Sequence, residues 1–69
     1  MTAGYQLVGG STNERLKATI HARWGIRSLV RFDRQTRTVH PYCTYKYATV
    51  AELRETIRLL EQYPMGGTR

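Results

Sequence analysis

Apolar and polar residues alternate without a break from residue 15 to residue 23, with the apolar ones at the even positions. A period of two is typical of a strand that has one covered face. The same stretch also fits a helix, because Leu16, Ile20 and Trp24 lie four apart and would share one helix face. The alternation accounts for more positions than the helical stripe, so we predict a strand here and keep the helix as the alternative.

The next stretch, from Ile26 to Asp33, has a turn signal at each end. Before it, Arg23 to Gly25 would form a three-residue hairpin loop. Its last position favours a left-handed backbone conformation, which glycine adopts readily. After it, the side chain of Asp33 can accept a hydrogen bond from the backbone two residues on. The first loop places Leu16 opposite Phe32, so that apolar residues meet on one face. This match supports a strand in the preceding segment.

A second turn is predicted at residues 34 and 35, which would place Val30 opposite Val39. The third strand then runs from Arg37 to Tyr47 in the same alternating register. Pro41 lies within this strand and has no backbone N–H to donate. The strand is therefore expected to form an edge of the sheet or to contain a bulge at that point.

The clearest helical pattern covers residues 49 to 63. Thr49 and Glu52 have the spacing of a capping box, and such a cap is typically worth about 1 kcal/mol. Apolar residues then recur at helical spacing on one side, at Val50, Leu53, Ile57 and Leu60. Pro64 and the glycines that follow it are predicted to end the helix.

These elements predict a single small α+β domain over residues 1–69, built as an antiparallel three- or four-stranded β-meander with one C-terminal α-helix packed across one face. Residues 1–13 are expected to form a weak first strand and a loop, residues 15–47 the meander, residues 49–63 the helix and residues 64–69 a tail. The architecture resembles that of the DNA-binding domains of plant ethylene-responsive factors and phage integrase arm-binding regions. The chain carries no diagnostic motif of either family, so the resemblance assigns no functional residue.

Charge gives the first indication of function. Eleven Lys and Arg against five Asp and Glu give a formal charge of +6, which favours a polyanionic partner. The face of the predicted sheet away from the helix carries no carboxylate, whereas a surface that only solvates the fold normally mixes both signs. We therefore expect nucleic-acid contacts from basic, histidine and aromatic residues at Lys17, His21, Arg23, Trp24, Arg27, Arg31, His40, Tyr42 and Lys46.

The leading functional hypothesis is a small basic nucleic-acid-binding protein, with DNA favoured over RNA. The alternative is a small protein-binding inhibitor or adaptor that acts on a nucleic-acid-processing complex, for example a phage-encoded anti-CRISPR or host-takeover protein. A homodimer formed through an exposed strand edge is a third hypothesis. Trp24 fits two roles, because it could cover the edge of the core or contact the nucleic acid.

Catalysis finds little support in the sequence, and we expect a protein that is not an enzyme and has no cofactor. Cys43 is the only cysteine and is expected to be packed with the apolar residues. His21 and His40 lack a third metal ligand, so no metal site is expected. No apolar run approaches the roughly 20 residues that span a bilayer, and a chain without a possible internal disulfide is expected to be cytoplasmic.

Overall fold

The computed structural model describes the backbone of residues 8–66 and the side chains of residues 12–66. Helix α1 (Val8–Trp24) is followed by strands β1 (Ser28–Asp33) and β2 (Thr38–Thr44) and then by helix α2 (Val50–Gln62). The strands form a two-stranded antiparallel sheet. The fold is therefore α+β, as predicted. Residues 3–7 of the predicted N-terminal strand lie outside the described residues. The loop predicted to follow it up to residue 13 is wrong, because α1 begins at Val8.

The predicted strand over residues 15–23 is wrong, because this segment is part of α1. Ala18 and Ala22 supplied two of the apolar positions in the alternation, yet both are exposed. Alanine is the strongest helix former, so its presence at even positions does not select a strand. Ile20 is fully buried, and Leu16 and Trp24 pack against the core at the helical spacing.

Gly25 ends α1 in the left-handed conformation, with a φ of 72°. Its N–H donates to the carbonyl oxygen of His21 at 2.9 Å, which is the bond of an αL helix cap. The sequence correctly indicated a left-handed glycine, but that conformation terminates a helix here instead of closing a hairpin. The three-stranded meander and its resemblance to plant and phage DNA-binding domains therefore do not describe this chain.

The predicted register between the two strands is wrong by two residues from Val30 to Asp33 and by three residues at Ser28 and Leu29. The turn contains residues 34–37, and Val30 lies opposite Pro41. Arg37 closes this turn with a φ of 59°, and its N–H donates to the Asp33 carbonyl oxygen at 2.8 Å. Two local predictions are confirmed. The Asp33 carboxylate accepts the N–H of Gln35 at 2.9 Å, and the pairing is irregular next to Pro41, where Tyr42 is the extra residue of a bulge.

Helix α2 confirms the helix predicted over residues 49 to 63. The capping box is complete, because the Thr49 hydroxyl accepts the N–H of Glu52 at 3.1 Å and the Glu52 carboxylate accepts the N–H of Thr49 at 2.9 Å. The buried side of the helix packs into a core with residues from both strands and α1. The buried apolar residues are Ile20, Leu29, Val30, Val39, Ala48, Leu53, Leu59 and Leu60.

The two helices run in the same direction. At the start of α2, the Asn13 side chain donates to the Ala48 carbonyl oxygen at 2.9 Å. At its end, Arg23 Nη1 lies 3.0 Å from Glu61 Oε2. These contacts hold α1 along α2, so that α1 takes no part in the sheet.

Residues 64–66 were predicted to belong to a tail, but they pair with β2. The N–H of Val39 donates to the Pro64 carbonyl oxygen at 3.0 Å, and the N–H of Gly66 donates to the Val39 carbonyl oxygen at 2.8 Å. A Cβ at Gly66 would clash with the His40 ring, so any other residue here would require that ring to move. Residues 67–69 of the predicted tail lie outside the described residues.

The outer edge of β1 is covered by α2. Thr56 is a buried polar residue of this helix, and its hydroxyl accepts the N–H of Val30 at 3.3 Å. An unpaired N–H at a strand edge invites pairing with another chain, and a buried one costs free energy. Thr56 therefore provides the hydrogen-bond acceptor that a further strand would otherwise give to the Val30 N–H.

We expect Thr56→Val to lower the free energy of unfolding by about 1–3 kcal/mol, because the substitution keeps the shape but leaves the Val30 N–H unsatisfied. Thr56→Ser keeps the hydroxyl and is the matched control, with a smaller loss from the missing methyl group. Urea denaturation of both variants measures the difference. Equal stability of Thr56→Val and the unmodified protein would show that this bond contributes nothing.

Candidate nucleic-acid interface

Charge is unevenly distributed between the helices and the hairpin. Among the described residues, all ion pairs lie on the helices, as Lys17 with Glu14, Arg23 with Glu61, and Arg58 with Glu55. The basic hairpin, defined as residues 27–46, carries five Lys or Arg and a single acid, Asp33. That carboxylate is engaged by the N–H groups of Gln35 and Thr36 in the turn. The basic hairpin therefore presents positive charge that no described carboxylate neutralises.

Arg31 and Tyr42 form the best defined part of this surface. The Arg31 guanidinium carbon lies 4.3 Å from the centroid of the Tyr42 ring, as in a cation–π pair. Tyr42 is 47% exposed at the bulge, and Arg31 is exposed on β1. Stacking restricts the guanidinium without using its N–H donors, all of which stay available to a ligand.

His40 lies opposite Arg31 in the register of the two strands. Its Nε2 atom is 2.9 Å from the Thr38 hydroxyl, which in turn is hydrogen-bonded to the Thr36 hydroxyl. Gly66 packs against the ring. These neighbours orient the imidazole, and Arg31 connects His40, its partner in the register, with Tyr42, on which it stacks.

The four predicted contact residues on α1 are not part of the sheet. The Lys17 ammonium is directed to the Lys46 carbonyl oxygen at 3.0 Å, and His21 is exposed on the helix. Arg23 pairs with Glu61, and its guanidinium carbon lies 4.3 Å from the Trp24 ring centroid. Trp24 is half-buried and packs against the core, which favours the covering role over direct contact.

The remaining predicted residues lie at the end of the basic hairpin away from its turn. Arg27 is exposed, and its carbonyl oxygen accepts the N–H of Tyr45 at 3.3 Å. Lys46 follows the end of β2, with its Nζ atom 5.6 Å from the ring centroid of Tyr47. Tyr47 is 83% exposed and is a residue that the sequence interpretation missed. In the predicted third strand, odd-numbered residues such as Tyr47 would face the core. Because β2 ends at Thr44, that alternation does not extend to Tyr47.

Electrostatics on α2 differ from those on the basic hairpin. The Arg58 side chain donates hydrogen bonds to Glu55 and thereby lowers the pKa of the Glu55 carboxyl below its ordinary value. The same bond raises the pKa of Arg58. Both groups are exposed, so their pairing is screened by solvent. The charges of Glu55 and Arg58 on the outer face of α2 therefore balance each other.

Among residues 8–66, no group of three or more His, Cys, Asp or Glu side chains could hold a metal ion. Within the same part of the chain, no helix is both long enough and apolar enough to cross a membrane. Comparison with protein-family models, curated proteins and solved structures finds no match to this chain. Its functional assignment therefore depends on the geometry of the basic hairpin.

Proposed function

We propose that this protein binds nucleic acid, and DNA in preference to RNA, through the basic hairpin. The observation that carries the proposal is the separation of charge. The helices hold the described ion pairs, whereas Arg27, Arg31, Arg34 and Arg37 are exposed and pair with no carboxylate among residues 12–66. Neutralisation of phosphates by such side chains supplies most of the affinity in sequence-independent binding.

The shape of the hairpin supports DNA as the ligand. A two-stranded ribbon fits the major groove of B-form DNA, whereas the major groove of A-form RNA is too deep and narrow for side chains to read. The stacked Arg31 and Tyr42 lie on the ribbon, and an arginine in this position can contact two acceptors of guanine at once. Arg34 and Arg37 in the turn would contact phosphates on either side.

A fluorescence polarisation assay with labelled duplex DNA, single-stranded DNA and RNA, repeated over a series of salt concentrations, tests the proposal. We expect DNA binding whose log affinity falls linearly with log salt concentration, because bound cations release counterions. RNA duplexes should bind more weakly than DNA duplexes. Absence of salt-dependent binding to every nucleic acid at micromolar protein would refute the proposal.

A further inference from the structure

An open cleft of about 280 Å³ lies where β2 passes into α2. It is lined by Leu29, Cys43, Thr44, Tyr47, Ala48 and Glu52. Small-molecule sites usually measure about 300–1,000 Å³, so this cleft is suited to one ring system and not to an extended ligand. Cys43, which was expected to be packed in the core, is exposed in its wall.

The lining combines an apolar floor with an aromatic wall and polar groups. Leu29 and Ala48 are buried members of the core, and the exposed ring of Tyr47 stands beside them. The Thr44 hydroxyl oxygen accepts the N–H of Lys46 at 3.2 Å, which leaves its proton free to donate. Glu52 uses Oε1 for the helix cap, and its second carboxylate oxygen can accept from a ligand. A flat ring with an exocyclic amino group matches this set.

The cleft is continuous with the basic hairpin. Leu29, Cys43 and Thr44, which line the cleft, all belong to the basic hairpin. Lys46 lies beside Tyr47. A ligand in the cleft thus has a cation beside the aromatic wall, and this arrangement is complementary to a ring carried on a phosphate backbone.

We propose that the cleft binds an unpaired nucleobase of a DNA strand, stacked on Tyr47, while an adjoining phosphate contacts Lys46. This inference rests on the proposed function and adds to duplex binding a second mode, for DNA that contains at least one unpaired base. A base within an intact duplex is stacked and paired, so it cannot enter the cleft without being extruded.

Cys43 supplies a direct test, because a base in the cleft would shield its thiol. The rate of alkylation by N-ethylmaleimide is measured on the intact protein alone, with a saturating single-stranded oligonucleotide, with a blunt duplex, and with an abasic strand of equal length. We expect the single strand to slow alkylation several-fold. The blunt duplex and the abasic strand should leave the rate close to that of the free protein, which separates shielding by a base from any effect of phosphates.

Substitution of Tyr47 gives a second readout. Tyr47→Ala should weaken single-strand binding about five-fold or more, since stacking on an aromatic ring contributes at least that much per base. Tyr47→Phe keeps the ring and should bind as the unmodified protein does, and neither change should alter binding to a blunt duplex. Because Tyr47 is exposed, neither substitution should unfold the protein, so a change in binding cannot be attributed to unfolding.

Two negative results are distinguishable. Salt-dependent DNA binding without protection of Cys43 and without an effect of Tyr47→Ala would overturn the cleft inference and leave the proposed function standing. Equal protection by the abasic strand would also overturn the cleft inference. Absence of binding to any nucleic acid would overturn both.

Discussion

Leu53→Ala is expected to lower the free energy of unfolding by about 2–5 kcal/mol, as other large-to-small substitutions in cores do. The Leu53 side chain is fully buried on the inner side of α2, where it belongs to the same cluster as Ile20, Leu29 and Val39. A small domain has few other contacts with which to compensate, because it buries a smaller fraction of its surface than a large one. The substitution could remove a large part of the total stability, which is about 0.05–0.15 kcal/mol per residue in ordinary proteins.

Denaturant melts of three α2 variants test this prediction together. Ile57→Ala should cost less than Leu53→Ala, because Ile57 is only half-buried. Arg54→Ala removes an exposed side chain between them and should stay within about 0.5 kcal/mol of the unmodified protein. Equal stability of Leu53→Ala and Arg54→Ala would mean that α2 does not cover the core in solution.

The two helices show why one half of the fold was predictable and the other was not. Helix α2 has a capping box, an apolar stripe and a terminating proline, all of which are local signals. Helix α1 is fixed instead by partners far along the chain, such as the Asn13 bond to Ala48 and the Lys17 bond to Lys46. These contacts cannot be seen in the sequence, where two exposed alanines made the segment look like a strand.

The candidate interface was predicted in part for a geometric reason. A register shift of two residues leaves every side chain on the same face of a sheet, whereas a shift of one would reverse all of them. Arg31 and His40 therefore lie together on the ribbon even though the predicted partner of Val30 was wrong, and Tyr42 at the bulge stacks on Arg31. The register shift could not be predicted because the turn ends with Arg37 in a left-handed conformation. Glycine or asparagine is the usual residue in that conformation and would have indicated the longer turn.

The combined substitution Arg27→Ala, Arg31→Ala, Arg34→Ala and Arg37→Ala is expected to abolish most of the salt-dependent DNA binding. Each phosphate contact contributes about 0.9 to the slope of log affinity against log salt on duplex DNA, so the slope should fall by about 3.6 if all four side chains contact phosphates. All four side chains are exposed, and none forms an ion pair with a described carboxylate. The free energy of unfolding should therefore change by no more than about 1 kcal/mol.

The effect of net charge on DNA binding must be separated from the effect of where the charges lie. The helices contain a matched pair of cations for this control. Arg15 and Arg54 are exposed and lie outside the described ion pairs, so Arg15→Ala with Arg54→Ala removes as much charge as Arg27→Ala with Arg31→Ala. The hairpin pair should lower the slope by about 1.8 on duplex DNA, and the helix pair should leave it nearly unchanged. If both double variants lose the same affinity and the same slope, the protein attracts DNA by its overall charge and the basic hairpin is not the interface. If only the hairpin pair loses affinity, the slope separates the two kinds of contact, since a lost phosphate contact lowers the slope, whereas a lost base contact costs about 1–3 kcal/mol at one sequence position and leaves the slope intact.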